Sequence, residues 1–171
     1  MSIERLSGRT NRTLRHSSVF FVLLNTLIPV LVGGLVYLSW RTDSLYMFHW
    51  LKRTGLDESV LLLRETLSST KQYLPRFVLY SLPDAAWVYS CSFFMIWLWK
   101  DGPKWKLWLW GSIGAVLGIG GELGQSYGII PGTYDTVDLL LCTLSVVLAI
   151  SVVNKCGDEE CRGTPKTRLF Q

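Results

Sequence analysis

The sequence predicts an all-α integral membrane protein, a four-helix bundle with an extracytoplasmic helical segment between the first and second spans. Three observations lead to this prediction. Of the 171 residues, 49% are hydrophobic, and they are concentrated in four long runs. Each run approaches the roughly 20 helical residues that cross the hydrocarbon core of a bilayer. Four such runs are rare in soluble domains, which favours a membrane bundle over a buried soluble one.

The first run, residues 19–40, follows a basic tail formed by residues 1–18. This arrangement resembles a signal peptide. However, the apolar segment is longer than a typical signal core, and no small-x-small cleavage site follows it. We therefore predict an uncleaved anchor. The other three runs lie within residues 76–155, and a second polar tail covers residues 156–171.

Lysines and arginines predict the topology, because cytoplasmic segments carry an excess of them. Both tails and the short turn between the second and third runs are basic, whereas residues 128–134 hold neither lysine nor arginine. With an even number of spans, the three basic segments lie on one side. We expect a multi-pass plasma-membrane protein with cytoplasmic N- and C-termini. Since topology explains the basic residues, they do not indicate nucleic-acid binding.

Residues 41–75 form the sizeable extramembrane segment. Within it, "LDESVLLLRETLSSTKQYL" predicts a helix with one apolar side. Such a helix can lie flat at the outer interface or cover the end of the bundle, and the sequence leaves both arrangements open.

Polar side chains interrupt the apolar pattern at one level, near the outer face of the membrane. Glu122 lies near the outer end of the third span, and Gln125 follows one turn later on a similar face. Asp135 and Asp138 then open the fourth span, and Asp84 opens the second span on the same side. We expect these five side chains to form an outward-facing acidic site.

Helix capping is the structural alternative for the aspartates. Asp135 and Asp138 match an N-cap and its N3 partner, and Ser81 and Asp84 match the same pattern. Glu122 begins no helix, and an ionisable residue within a span is costly, so it indicates a function. Carboxylates and an amide suit a divalent ion bridging a lipid-linked phosphate, a proton relay, or the joining of helices. No zinc signature or glycine-rich phosphate loop is present, so the sequence identifies no metal set, cofactor or catalytic residue.

Four glycines form one stripe along the third span: Gly111, Gly114, Gly118 and Gly121. Small residues let helices approach closely in lipid. We expect this stripe to pack against the second or fourth helix, and it could also receive a membrane protein partner.

Two motifs carry a resemblance to a known family. "GELGQ" at residues 121–125 and "PGTYDTVDLLL" at residues 131–141 resemble the signature of VanZ-like membrane proteins. That signature has a glutamate and a glutamine on one helix and two spaced aspartates at the start of the next. Four residues match it position by position: Glu122, Gln125, Asp135 and Asp138. The resemblance covers roughly residues 82–150. Cys142 and Ser145 stand where the family pattern has asparagine and glycine, and "PGT" replaces a turn with a basic residue.

The VanZ-like family is named for resistance to teicoplanin, so the resemblance implies a role in the cell envelope without specifying a reaction. We expect a protein that binds an envelope lipid or a lipid-linked precursor. One alternative is a metal-dependent membrane enzyme acting on a lipid-linked phosphate. Another is a membrane assembly subunit whose acids serve only as helix caps.

Overall fold

The computed structural model describes the backbone of residues 3–41 and 51–163 and the side chains of residues 19–41 and 51–156. All regular structure in these ranges is helical, which confirms the predicted all-α class there. The α-helices are α1 (Ile3–Trp40), α2 (Asp57–Leu67), α3 (Arg76–Tyr80), α4 (Leu82–Trp99), α5 (Lys104–Gly111), α6 (Ile113–Ser126) and α7 (Thr136–Gly163). Residues 51–54 are also helical, and a 3₁₀ helix, Ser68–Tyr73, joins α2 to α3.

Three helical segments in the described ranges are long and apolar enough to cross a membrane: Val19–Trp40, Lys104–Ser126 and Thr136–Cys156. They indicate a membrane protein. The predicted second span, α4, is not among them. Its 18 residues include Asp84 together with tryptophans, serines and a tyrosine, which lower its mean hydropathy.

Helix α4 lies at the centre of the fold, where it contacts α1, α5, α6 and α7. Its Phe93 is fully buried and packs with Ala149 and Val153 of α7. Phe21 of α1 meets Phe93 edge-on, with ring centroids 5.8 Å apart. Helix α4, the predicted span that its mean hydropathy does not identify, is therefore the one that other helices surround most completely.

Polar side chains of α4 form hydrogen bonds with α1 in the turn before Pro29. Tyr89 Oη donates to Asn25 Oδ1 at 2.7 Å, and Ser90 Oγ donates to the backbone carbonyl of Thr26 at 2.7 Å. Proline has no N–H and interrupts the backbone hydrogen bonds of α1 at this point. The two bonds therefore join α4 to α1 beside the position where Pro29 removes a backbone donor.

The glycine stripe packs largely against its own chain. A Cβ added at Gly114 would lie 2.1 Å from Ser92 Oγ of α4, and one at Gly118 would lie 2.5 Å from Val88 Cγ2. Close approach of α6 to α4 therefore depends on these two glycines. Gly121 differs, because an added Cβ there would meet nothing within 4 Å. Docking of a separate partner on this stripe stays a prediction.

The helices extend beyond the ends of two predicted spans. Helix α1 begins at Ile3, so most of the tail predicted for residues 1–18 is helical backbone continuous with the first span. Helix α7 runs to Gly163, past residue 155, and continues through Gly157 without a break. The remainder of the predicted C-terminal tail, residues 164–171, and residues 42–50 of the extramembrane segment lie outside the described residues.

Helix α2 is joined to the end of α1 by side chain–backbone hydrogen bonds. Arg64 Nε donates to the carbonyl of Leu38 at 2.8 Å, and Arg64 Nη2 donates to the carbonyl of Arg41. Trp40 Nε1 donates to the carbonyl of Leu67 at 3.1 Å. These bonds satisfy carbonyls that a helix C-terminus leaves without partners, and they hold the backbone of Arg41 in place.

Candidate functional site

One cavity of about 730 Å³ brings together all the site residues that the sequence predicts. Its lining includes Asp84, Glu122, Gln125, Asp135 and Asp138. They come from α4, from α6 and from the start of α7. The volume falls in the range of roughly 300–1,000 Å³ that small-molecule sites occupy.

A tight turn returns the chain from α6 to α7 over this cavity. Gly128 and Gly132 adopt φ values of 68° and 149°, which glycine accepts without steric cost. The backbone N–H of Ile129 donates to the carbonyl of Gly124 at 2.8 Å and closes the end of α6. A Cβ at Gly132 would lie 2.6 Å from Gln125 Cδ, so the Gln125 amide packs directly against the turn.

Asp135 caps α7, but the predicted capping box has a different second partner. Asp135 Oδ1 accepts a hydrogen bond from the backbone N–H of Val137 at 2.8 Å. In a capping box the N3 side chain, here Asp138, would accept from the backbone N–H of Asp135. That N–H donates instead to Glu122 Oε2 at 3.2 Å. The prediction of an Asp135–Asp138 box is therefore wrong, because Glu122 of the neighbouring helix occupies the position.

Asp138 is consequently left without a capping role. The residue is half-buried, and its Oδ1 atom is buried with no hydrogen-bond partner among the described residues. Leaving a buried polar group unsatisfied costs about 1–3 kcal/mol. Asp138 thus lines the cavity with a carboxylate of which one oxygen, Oδ1, is buried and has no donor among the described residues.

The predicted Ser81–Asp84 capping box is also wrong. Ser81 is 2% exposed and makes no side-chain capping hydrogen bond, because α3 and α4 follow each other with only this residue between them. Asp84 is half-buried and needs no capping role. It lies close enough to Arg41, Asp138 and Glu122 for their charges to act on it.

Two arginines, absent from the predicted site, also line the cavity: Arg41 at the end of α1 and Arg76 at the start of α3. The Arg41 guanidinium carbon lies 5.5 Å from the ring centroid of Tyr37 and 5.3 Å from that of Tyr80, so two aromatic faces hold it. The sequence carried a signal for both arginines. Each directly adjoins the end of an apolar run on the side of the acids, where Arg41 follows Trp40.

Charges in the lining are mixed. Two arginines and four carboxylates give a formal charge of −2, that is 2 minus 4. The cations come from the end of α1 and from α3, and the anions come from α4, α6 and α7. Among the described side chains, those of residues 19–41 and 51–156, no three His, Cys, Asp or Glu residues lie close enough together to hold a metal ion.

A second cavity, of about 380 Å³, adjoins the first along α6. The two cavities share Asp84, Glu122 and Gln125 in their linings. Beyond these residues the second cavity is lined mainly by small and apolar side chains, among them Val88, Leu117, Gly118, Gly121 and Cys142. No pattern in the sequence indicates this cavity, because it depends on how α6 sits between α4 and α7.

Comparisons with known proteins give no match. No family model matches the chain, and no curated protein or solved structure is significantly similar to it. The resemblance to VanZ-like proteins therefore depends on the two quoted motifs.

Proposed function

We propose that this chain is a four-span plasma-membrane protein of the cell envelope, in which an outward-facing cavity binds the headgroup of an envelope lipid or a lipid-linked precursor. The observation that carries the proposal is the cavity itself. Carboxylates and an amide from α4, α6 and α7, which the sequence predicts as one site, line it together with two arginines.

The proposed spans are α1, α4, the α5–α6 pair and α7. Helix α4 has 18 residues and rises about 27 Å, close to the roughly 30 Å thickness of the hydrocarbon core. A central helix needs fewer apolar side chains than a lipid-facing one, because α1, α6 and α7 contact it directly. These contacts support α4 as a membrane span in addition to the other three.

The orientation follows from the distribution of lysines and arginines. The cavity is lined from the C-terminal ends of α1 and α6 and the N-terminal ends of α4 and α7, so it lies at one end of the helices. The turn at the opposite end contains Lys100, Lys104 and Lys106. Basic turns face the cytoplasm, which supports an outward-facing cavity.

Binding of a lipid headgroup accounts for more of the site than capping does. Among the four acids of the cavity, Asp135 is the one that caps its own helix. Glu122 binds the start of a neighbouring helix, and Asp138 retains an unsatisfied oxygen. We therefore favour lipid binding over a membrane assembly subunit. The motifs similar to those of VanZ-like proteins add support for an envelope role, including resistance to antibiotics at the family level.

The test is a binding screen with purified protein in detergent. Envelope phospholipids and a lipid-linked phosphate are offered to the wild type, to Glu122→Gln, and to Glu58→Gln, a matched change on the exposed surface of α2. We expect Glu122→Gln to weaken binding about tenfold, as loss of one charge-assisted hydrogen bond does, and Glu58→Gln to leave it unchanged. Binding equal in all three proteins, or absent from all, contradicts the proposal. Binding that needs an added divalent cation would select the metal-dependent enzyme instead.

A further inference from the structure

The distribution of charge in the cavity points to one class of headgroup. We infer that the cavity takes a zwitterionic headgroup, a phosphate diester carrying a primary ammonium, with the phosphate at the two arginines and the ammonium at the carboxylates. The inference rests on the proposed lipid-binding function and narrows its ligand to amino-phospholipids.

The arginines provide the phosphate side. A guanidinium presents a planar fork of N–H donors that matches phosphate oxygens, often with two parallel hydrogen bonds. The rings of Tyr37 and Tyr80 hold Arg41, and its backbone carbonyl accepts from Arg64. Arg41 is thus positioned before any ligand arrives, which lowers the entropic cost of binding. Arg76 is exposed on α3 and lines the same cavity.

The carboxylates provide the ammonium side. With a formal charge of −2, the lining disfavours a headgroup that is only anionic, whereas a zwitterion adds no net charge and places a positive group beside the carboxylates. Asp138 Oδ1 lacks a hydrogen-bond donor, and Asp84 lies within range of the Asp138 charge. A primary ammonium brings three N–H donors, as a lysine side chain does. A trimethylammonium group has the same charge but no donor, so it leaves the Asp138 oxygen unsatisfied.

The second cavity provides a place for an acyl chain. It continues from the first past Asp84, Glu122 and Gln125 into a lining of small and apolar residues. Gly121 is part of this lining and faces open space, because a Cβ added there would meet nothing within 4 Å. A lipid that places its headgroup between the arginines and carboxylates can extend one chain along α6 into this space.

The first experiment measures headgroup preference. Detergent-solubilised protein is mixed with equimolar phosphatidylethanolamine, phosphatidylglycerol and phosphatidylcholine with identical acyl chains, and bound lipid is counted by native mass spectrometry. We expect the wild type to prefer phosphatidylethanolamine about tenfold over both others. Asp138→Asn replaces the charged acceptor facing the ammonium with a neutral one, which accepts a weaker hydrogen bond from an N–H donor, and should reduce the preference over phosphatidylcholine. Arg76→Gln should weaken all three lipids alike, and the exposed Arg53→Gln should change nothing.

The second experiment separates the headgroup from the chain. Gly121→Leu adds a Cβ that meets nothing within 4 Å and places an apolar side chain in the second cavity, so it should weaken phosphatidylethanolamine several-fold while leaving binding of soluble glycerophosphoethanolamine unchanged. Gly120→Leu is the matched control on the same helix, because Gly120 is exposed and lines neither cavity. Equal effects of the two leucines on lipid binding would remove the acyl-chain part of the inference.

The outcomes distinguish this inference from the proposed function. Binding that depends on Glu122 but favours phosphatidylglycerol or a lipid-linked phosphate overturns the zwitterionic class and leaves lipid binding intact. Equal binding of phosphatidylethanolamine and phosphatidylcholine, unaffected by Asp138→Asn, overturns it as well. If the cavity variants alter the binding of no lipid at all, both the inference and the proposed function fail.

Discussion

Glu122 has two separable roles, and two substitutions distinguish them. Its Oε2 accepts a hydrogen bond from the backbone N–H of Asp135, which ties the end of α6 to the start of α7. Its negative charge also lies near Asp135 and Asp138, which repel it. Glu122→Gln keeps an acceptor oxygen and removes the charge, whereas Glu122→Ala removes both.

The expected stabilities follow from these contacts. The hydrogen bond is exposed to solvent, so its loss in Glu122→Ala should cost about 0.5–1.5 kcal/mol, the usual net value for one intramolecular bond. Glu122→Gln should stay within about 0.5 kcal/mol of the wild type, because the retained acceptor and the relieved repulsion offset the lost charge–dipole attraction. Unfolding by sodium dodecyl sulfate in mixed micelles, followed by tryptophan fluorescence, measures both free energies.

Lipid binding should rank the same proteins differently. Both Glu122→Gln and Glu122→Ala lack the carboxylate charge and should lose headgroup binding to a similar extent, about tenfold. The reasoning is refuted if Glu122→Gln is as unstable as Glu122→Ala, because the acceptor oxygen would then not matter. It is equally refuted if Glu122→Gln binds lipid as the wild type does.

Two further predictions concern packing and capping. Gly114→Ala should destabilise the fold by about 1–3 kcal/mol in the same unfolding assay, because its Cβ would lie 2.1 Å from the Oγ atom of the fully buried Ser92. The control Gly120→Ala, on the exposed face of the same helix, should leave the stability unchanged or raise it by up to about 1 kcal/mol. Equal effects would show that α6 does not approach α4 this closely. Asp135→Ala should cost about 0.5–2 kcal/mol through loss of the α7 cap, while Asp138→Asn should cost nothing measurable. The reverse order of stability would restore the capping box that the sequence predicts.

The composition of the site could be predicted because the level of a residue in the membrane can be counted along an apolar run. Glu122 and Gln125 end one predicted span, while Asp84 and Asp138 begin others on the same predicted side of the membrane. The structure places all of them, with Asp135, around one cavity. The same argument applies to Arg41 and Arg76, because each adjoins the end of an apolar run.

The hydrogen-bond partners could not be predicted in this way. The pattern of Asp135 and Asp138 is that of a capping box, and local sequence contains no information against it. Glu122 takes the N3 position only because α6 lies beside the start of α7, which is a tertiary contact. Likewise, Ser81 has the sequence of an N-cap but is buried between α3 and α4.

The central position of α4 is a similar case. Its serines and tyrosine lower its mean hydropathy. Two of them, Tyr89 and Ser90, form hydrogen bonds with α1, so their polar groups are satisfied within the helical bundle. The second cavity depends on Gly118 and Gly121 together with the spacing of three helices. No pattern along a single helix encodes that spacing.

The polar cavity is proposed to open to the outside of the cell and to hold a lipid headgroup, and cysteine labelling tests both points in one protein. Thr133 is exposed and lines the cavity, and Lys104 begins α5 at the opposite end. A membrane-impermeant maleimide added to intact cells should label Thr133→Cys above the background of the parent chain, and Lys104→Cys only after permeabilisation. In purified protein, added phosphatidylethanolamine should slow labelling of Thr133→Cys several-fold. Labelling of Thr133→Cys only from the cytoplasmic side, or at a rate that no lipid changes, would contradict the account.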